Sequence, residues 1–143
     1  MKDCFDMMND VESILKVPQL TDVLDGKIWQ ITMPDFGPLN KKTNICLGTL
    51  PMRHRKIAIG TVNIRIYAPP LQSTSNGQIA WLPDQAKYKM LSDIIVPLID
   101  GHYGLDFNTS LADDAALIKD TDGSYFYHIP VEYMHFDSDY NNL

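Results

Sequence analysis

The chain has almost none of the residue clusters that announce chemistry. Its two cysteines are Cys4 and Cys46, and its four histidines are His54, His102, His128 and His135. None of the six falls in a metal-ligand spacing such as HExxH or paired CxxC. His128 and Glu132 are four apart, but on a strand that spacing separates them by about 13 Å, too far to share one ion. There is no GxSxG elbow, and neither cysteine lies in a context that would lower its pKa. Both are expected to be unpaired core thiols, one in a helix and one in a strand. No catalytic, cofactor-binding or metal-binding residue is assigned, and the chain is not expected to be an enzyme.

Positive charge is also scarce. Twelve Lys and Arg stand against eighteen Asp and Glu, a net charge of -6 and a pI near 4.9. A protein that grips nucleic acid displaces phosphate counterions with Lys and Arg, so sequence-specific nucleic-acid binding is excluded. The only basic concentration is Arg53, His54, Arg55 and Lys56. The acids Asp113, Asp114, Asp120 and Asp122 flank weak strands and are expected to be solvated turn residues.

No window approaches the ~20 apolar residues of a membrane span, and MKDCFDMMND has acids where a signal peptide needs an apolar core. A soluble, cytoplasmic chain with no membrane partner is expected. Repeats and low-complexity tracts are missing too. With 143 residues and 45% apolar content, one domain over 1–143 is expected, ending in a short flexible acidic tail at 137–143.

What is present is periodicity. Cys4, Met7, Met8, Val11, Ile14 and Leu15 recur on one helix face, predicting a helix from Asp3 to Lys16, with Asp3 as its cap. PQLTDVLDGK predicts a short helical turn stopped by Gly26 in the left-handed conformation. Pro83 and Asp84 open a second helix, to Asp100, with Met90, Leu91, Ile94, Ile95 and Leu98 as its buried stripe and Pro97 loosening its end. Strands are predicted at Lys27 to Thr32, Thr43 to Leu50, Lys56 to Ala68, Leu105 to Leu111, Ala115 to Lys119 and Tyr125 to Phe136. The second and third are expected to pair as a hairpin. Pro130 suggests an edge position or bulge in the last strand, and LQSTSNGQIAW reads as a long loop ending in Trp81.

The third strand, KIAIGTVNIRIYA, changes phase. Ile57 and Ile59 occupy odd positions, whereas Val62, Ile64 and Ile66 occupy even ones, so a β-bulge or sharp bend is expected at Gly60. The even face should meet the helices, leaving Thr61, Asn63, Arg65 and Tyr67 outward. The whole order predicts an α+β fold: a mostly antiparallel, bent sheet of four to five strands with two main helices packed on one face.

From Val11 to Phe136 this layout resembles the small tail-completion or tail-terminator proteins of long-tailed bacteriophages and prophages. The local likenesses are VESILKVPQLTDVLDGKIW, a helix leading through a turn into the first strand; GTVNIRIYAPP, a strand closing in prolines; and AKYKMLSDIIVPLIDGHYG, the second helix. The resemblance implies a structural homo-oligomer, a ring and commonly a hexamer, that caps the finished tail tube. Its partners would be the tail-tube protein and a head-completion protein, in the bacterial cytoplasm during assembly and then in the virion. Alternatives are a neck or head-completion protein, or a non-phage protein-binding module without catalysis. The positions assigned to protein contact are Phe36, in the loop Asp35 to Lys42; Arg53, His54, Arg55 and Lys56, at the expected hairpin tip; Asn63, Arg65 and Tyr67, on the outward strand face; and Trp81.

Overall fold

The structure, a computed structural model, describes residues 2–34, 40–50, 57–121 and 123–136. In chain order the elements are α1 (Cys4–Leu15), α2 (Pro18–Thr21), β1 (Ile28–Gln30), β2 (Asn44–Thr49), β3 (Ile57–Tyr67), β4 (Leu71–Ser75), β5 (Gln78–Leu82), α3 (Gln85–Ile99), β6 (His102–Tyr103), β7 (Phe107–Leu111), β8 (Ala116–Lys119) and β9 (Tyr125–Phe136). The fold is α+β. Instead of four or five strands, seven form the main sheet in the order β1-β2-β3-β9-β7-β6, with β8 also on β9, and β4 and β5 form a second sheet of their own. Among the described residues only β1 and β2 run parallel, and the other pairs are antiparallel. No helix of the described residues is long and apolar enough to cross a membrane.

The caps of α1 follow from its acids. The Asp3 carboxylate accepts hydrogen bonds from the Phe5 and Asp6 amides, and Asp6 accepts from the Asp3 amide, which satisfies donors the first turn leaves open. Its apolar face, Met7, Met8, Val11, Ile14 and Leu15, joins Leu91, Ile95 and Ile99 of α3 against Ile45, Leu47, Val62, Ile64, Ile66, Ile129, Val131 and Tyr133. Each fully buried Leu, Ile or Val contributes roughly 1.5–3 kcal/mol. The stripe of α3 is shifted from the predicted one. Tyr88 and Ile99 are buried, while Met90 faces solvent, because the buried positions recur at 88, 91, 95 and 99. Tyr88 earns its place with its hydroxyl, which accepts from the Ala68 amide and donates to the Tyr125 carbonyl.

The bulge expected at Gly60 is absent. From Ile57 opposite Phe136 to Ile66 opposite Tyr127, β3 and β9 pair residue for residue without a slip. Ala58 and Gly60 are buried on the same even face as Val62, Ile64 and Ile66. Small residues fill the helix-facing side at that end, so Ile57 and Ile59 point outward along an unbroken strand.

Three further expectations are corrected. Pro130 lies in the middle of the sheet, not at an edge, for β9 has β3 on one side and β7 and β8 on the other. Its carbonyl accepts from Ala112, in the gap where β7 ends at Leu111 and β8 has yet to begin at Ala116, so its missing donor faces no strand. Gly26 is not left-handed; it is a close approach, since a Cβ there would lie 2.3 Å from Asn44 Oδ1 and 2.4 Å from the Thr43 carbonyl oxygen. The stretch read as a long loop is a hairpin, β4–β5, closed by Asn76 and Gly77 at φ 51° and 77°, a two-residue turn of type I′.

Candidate interaction surfaces

Helices cover the even face of β3, so the chain's distinctive surfaces are the odd, outward face and the β4–β5 hairpin. On β2, Ile45 and Leu47 point to the helices and Asn44, Cys46 and Gly48 point outward, opposite Tyr67, Arg65 and Asn63. On β9 the outward residues are Phe126, His128, Pro130, Glu132, Met134 and Phe136, fixed by pairing with the odd residues of β3.

This face has two ends of different character. Around Arg65 it is polar and aromatic. Arg65 Nη2 donates to Cys46 Sγ at 3.4 Å, His128 Nε2 meets Asn63 Oδ1 at 2.9 Å, and the Tyr67 and Phe126 rings lie 5.4 Å apart. Burial lowers the His128 pKa and the Arg65 charge lowers it further, so the ring is neutral at pH 7. An amide oxygen only accepts, which places the ring proton on Nε2. Burial pushes the Cys46 thiol up despite the guanidinium, so the sulfur stays protonated and is no nucleophile at neutral pH. A cleft of about 280 Å³ opens beside these residues, lined in part by Ile31, Cys46, Arg65, Tyr67, Asp120 and Thr121.

The other end is apolar. Leu50, Ile57, Ile59 and Phe136 are between 38% and 53% exposed. Register puts them together: Leu50 bonds back to Thr61, Ile57 is opposite Phe136, and Ile59, Met134, Asn108 and Tyr103 form one row across four strands. Four outward apolar side chains here are more than scattered surface hydrophobes.

The β4–β5 hairpin is the second surface. From Leu71 to Leu82 it contains no charged residue. All ten strand residues are exposed except Trp81, which is half-buried, and Leu71, Ile79 and Leu82 are 46–58% exposed. An isolated two-stranded ribbon is marginal in water. Leu71 pairs with Leu82 on one face of the ribbon, and Ile79 and Trp81 lie on the other.

The structure therefore brings Asn63, Arg65 and Tyr67 into one patch with Cys46, Phe126 and His128, and puts Trp81 apart from them on the hairpin. Phe36, Arg53, His54, Arg55 and Lys56 lie outside the described residues, as does the tail 137–143. Sequence reasoning missed the apolar group of Leu50, Ile57, Ile59 and Phe136, although the phase change at Gly60 was its signal. It also missed Leu71, Ile79 and Leu82, for which Asn76-Gly77 was the available signal. Among the described residues no group of three or more His, Cys, Asp or Glu is placed to hold a metal ion.

A second polar cluster lies at the start of α1. Lys2 Nζ is 2.7 Å from Asp10 and 2.8 Å from Asp106, and Tyr133 donates its hydroxyl to Asp10. Lys2 also stands over the Phe107 ring, which stacks on Tyr133 at 5.3 Å. Tyr133 is fully buried, and burial followed by the hydrogen bond to Asp10 raises its pKa. These groups tie the first helix to β7 and β9. No protein-family model matches the chain, and no curated protein matches it.

Proposed function

We propose that this protein is a structural assembly subunit of the tail-terminator or tail-completion class of long-tailed phages and prophages, working as a homo-oligomeric ring at the head-proximal end of the tail tube. The observation that carries the assembly part is the uncharged β4–β5 hairpin, whose Leu71, Ile79 and Leu82 face water in the single chain. A ribbon of this kind gains stability by lying against another protein surface. The phage part rests on the layout from Val11 to Phe136 and on the α+β fold that follows from it. The net charge of -6 suits a ring through which DNA passes, because its lumen need not hold phosphate.

The reading is tested by light scattering and electron microscopy on the purified protein. Rings with a central hole are expected, and a strict monomer at high concentration would overturn the assembly reading. Gene neighbourhood tests the class. Portal, capsid or tail-tube genes beside this one are expected, and a metabolic operon would sink the phage assignment.

A further inference from the structure

From the placement of the two apolar surfaces we infer that the β4–β5 hairpin of one copy docks on the apolar end of the next copy's outward sheet face, around Leu50, Ile57, Ile59 and Phe136. The inference rests on the assembly reading and names its contact. Both surfaces hang on the same strand, β3, at opposite ends. The patch begins at Ile57; the hairpin leaves after Tyr67 through Pro69 and Pro70. Eleven residues of strand hold the two roughly 33 Å apart at about 3.3 Å per residue. The ribbon is five residues long and reaches only about 17 Å, so it cannot fold back over its own chain's patch. Two different surfaces at opposite ends of one strand, joined between copies, make a heterologous contact, and such contacts repeat head to tail until a ring closes.

Charge and area favour a second copy as the occupant. Each copy carries a net charge of -6, and copies therefore repel except where charge is missing. The hairpin has none over Leu71 to Leu82, and the patch side chains Leu50, Ile57, Ile59, Met134 and Phe136 have none. Both sides bring apolar area to the contact, Leu71, Ile79 and Leu82 from the hairpin at 46–58% exposure and Leu50, Ile57, Ile59 and Phe136 from the patch at 38–53%. The hairpin also presents apolar side chains on both faces, Leu71 and Leu82 on one and Ile79 on the other, as a segment gripped between surfaces requires.

The test uses two variants of the full chain, one with Ile57→Lys and Ile59→Lys, the other with Ile79→Lys and Leu82→Lys. Each is expected to weaken self-association on the order of tenfold or more while keeping the wild-type circular dichroism spectrum, because all four side chains are exposed. Mixed in equal amounts, the two variants should form a dimer and nothing larger, since a single intact hairpin and a single intact patch remain between them. If the lysine pairs disturb folding, Ile57→Thr with Ile59→Thr and Leu82→Gln repeat the experiment with milder changes. Rings that persist in the hairpin variant overturn the inference and assign the hairpin to a different molecule. A mixture that stays monomeric, while wild type assembles, overturns it as well and leaves the assembly reading standing. Wild type that never assembles removes both.

Discussion

At the scale of single residues, the decisive positions are those where a backbone constraint and a side chain meet. Gly26 donates its amide to the Thr43 carbonyl, and Asn44 Oδ1 just above it accepts from both the Lys27 amide and Trp29 Nε1. A methyl group there has no space and nowhere to push, since one of its neighbours is backbone. Gly26→Ala is therefore expected to cost about 2 kcal/mol or more in a urea melt, through displacement of β1 from β2. Ile31 gives the opposite sign. It sits at φ 71°, where a β-branched residue is strained, with Thr32 bonding back to Gln30 in a γ-turn that ends β1. Its side chain is largely exposed, so Ile31→Asn relieves strain with little loss of burial. A stabilisation of about 1 kcal/mol is expected in the same melt, and unchanged or lower stability would show that the strain is illusory.

At the scale of elements, legibility tracked how many independent signals agreed. For α1 the apolar spacing and the Asp3 and Asp6 caps pointed the same way, and the helix lies within a residue of its predicted bounds at both ends. β3 and β9 were legible from alternation. The faces of β3 beyond Gly60 were read correctly, but a change of apolar phase has two physical causes, a slipped backbone or a face that becomes apolar on the outside. Composition alone does not separate them; the small residues Ala58 and Gly60 on the even positions were the clue to the second. The hairpin failed for a different reason. LQSTS has Ser and Thr where a half-buried strand would alternate apolar and polar, because this strand has no buried face in the single chain. That same fact makes its turn a clean probe. Gly77 is left-handed at φ 77°, where valine is strained, so Gly77→Val should disorder the ribbon. Since the ribbon belongs to a separate sheet, chemical unfolding of the monomer should stay within about 0.5 kcal/mol of wild type while assembly seen by light scattering is lost. A large loss of monomer stability would show that the hairpin supports the main sheet.

At the scale of the whole molecule, the interior is built around one face of a seven-stranded sheet, and its first helix is tied down by charge as well as by packing. Lys2 bridges Asp10 on α1 and Asp106 just before β7, which links the N-terminal end of the chain to a strand formed more than a hundred residues later. The hydrogen bond from Lys2 holds the Asp106 carboxyl below its ordinary value. A carboxylate with a depressed folded-state pKa stabilises above its unfolded value of about 3.8 and loses that contribution as pH falls through the folded value. Burial opposes protonation of Lys2, but the bonds to Asp10 and Asp106 outweigh it and raise its pKa above 10.5; the Tyr133 phenol, buried and donating to Asp10, is raised as well. Groups raised in the folded state stabilise fully below their unfolded values, so this part of the tie is lost only as pH climbs from about 10 upward. Two opposite edges follow for one cluster. Asp106→Asn should flatten the fall in melting temperature below about pH 4 and, because it removes one of the two partners that raise Lys2, soften the alkaline fall as well, whereas Tyr133→Phe should weaken the alkaline fall above about pH 10 and leave the acid side in place. Melting curves at closely spaced pH values read both at once. An acid limb as steep in Asp106→Asn as in wild type would show that other carboxylates, not the Lys2 tie, set the acid stability of the fold.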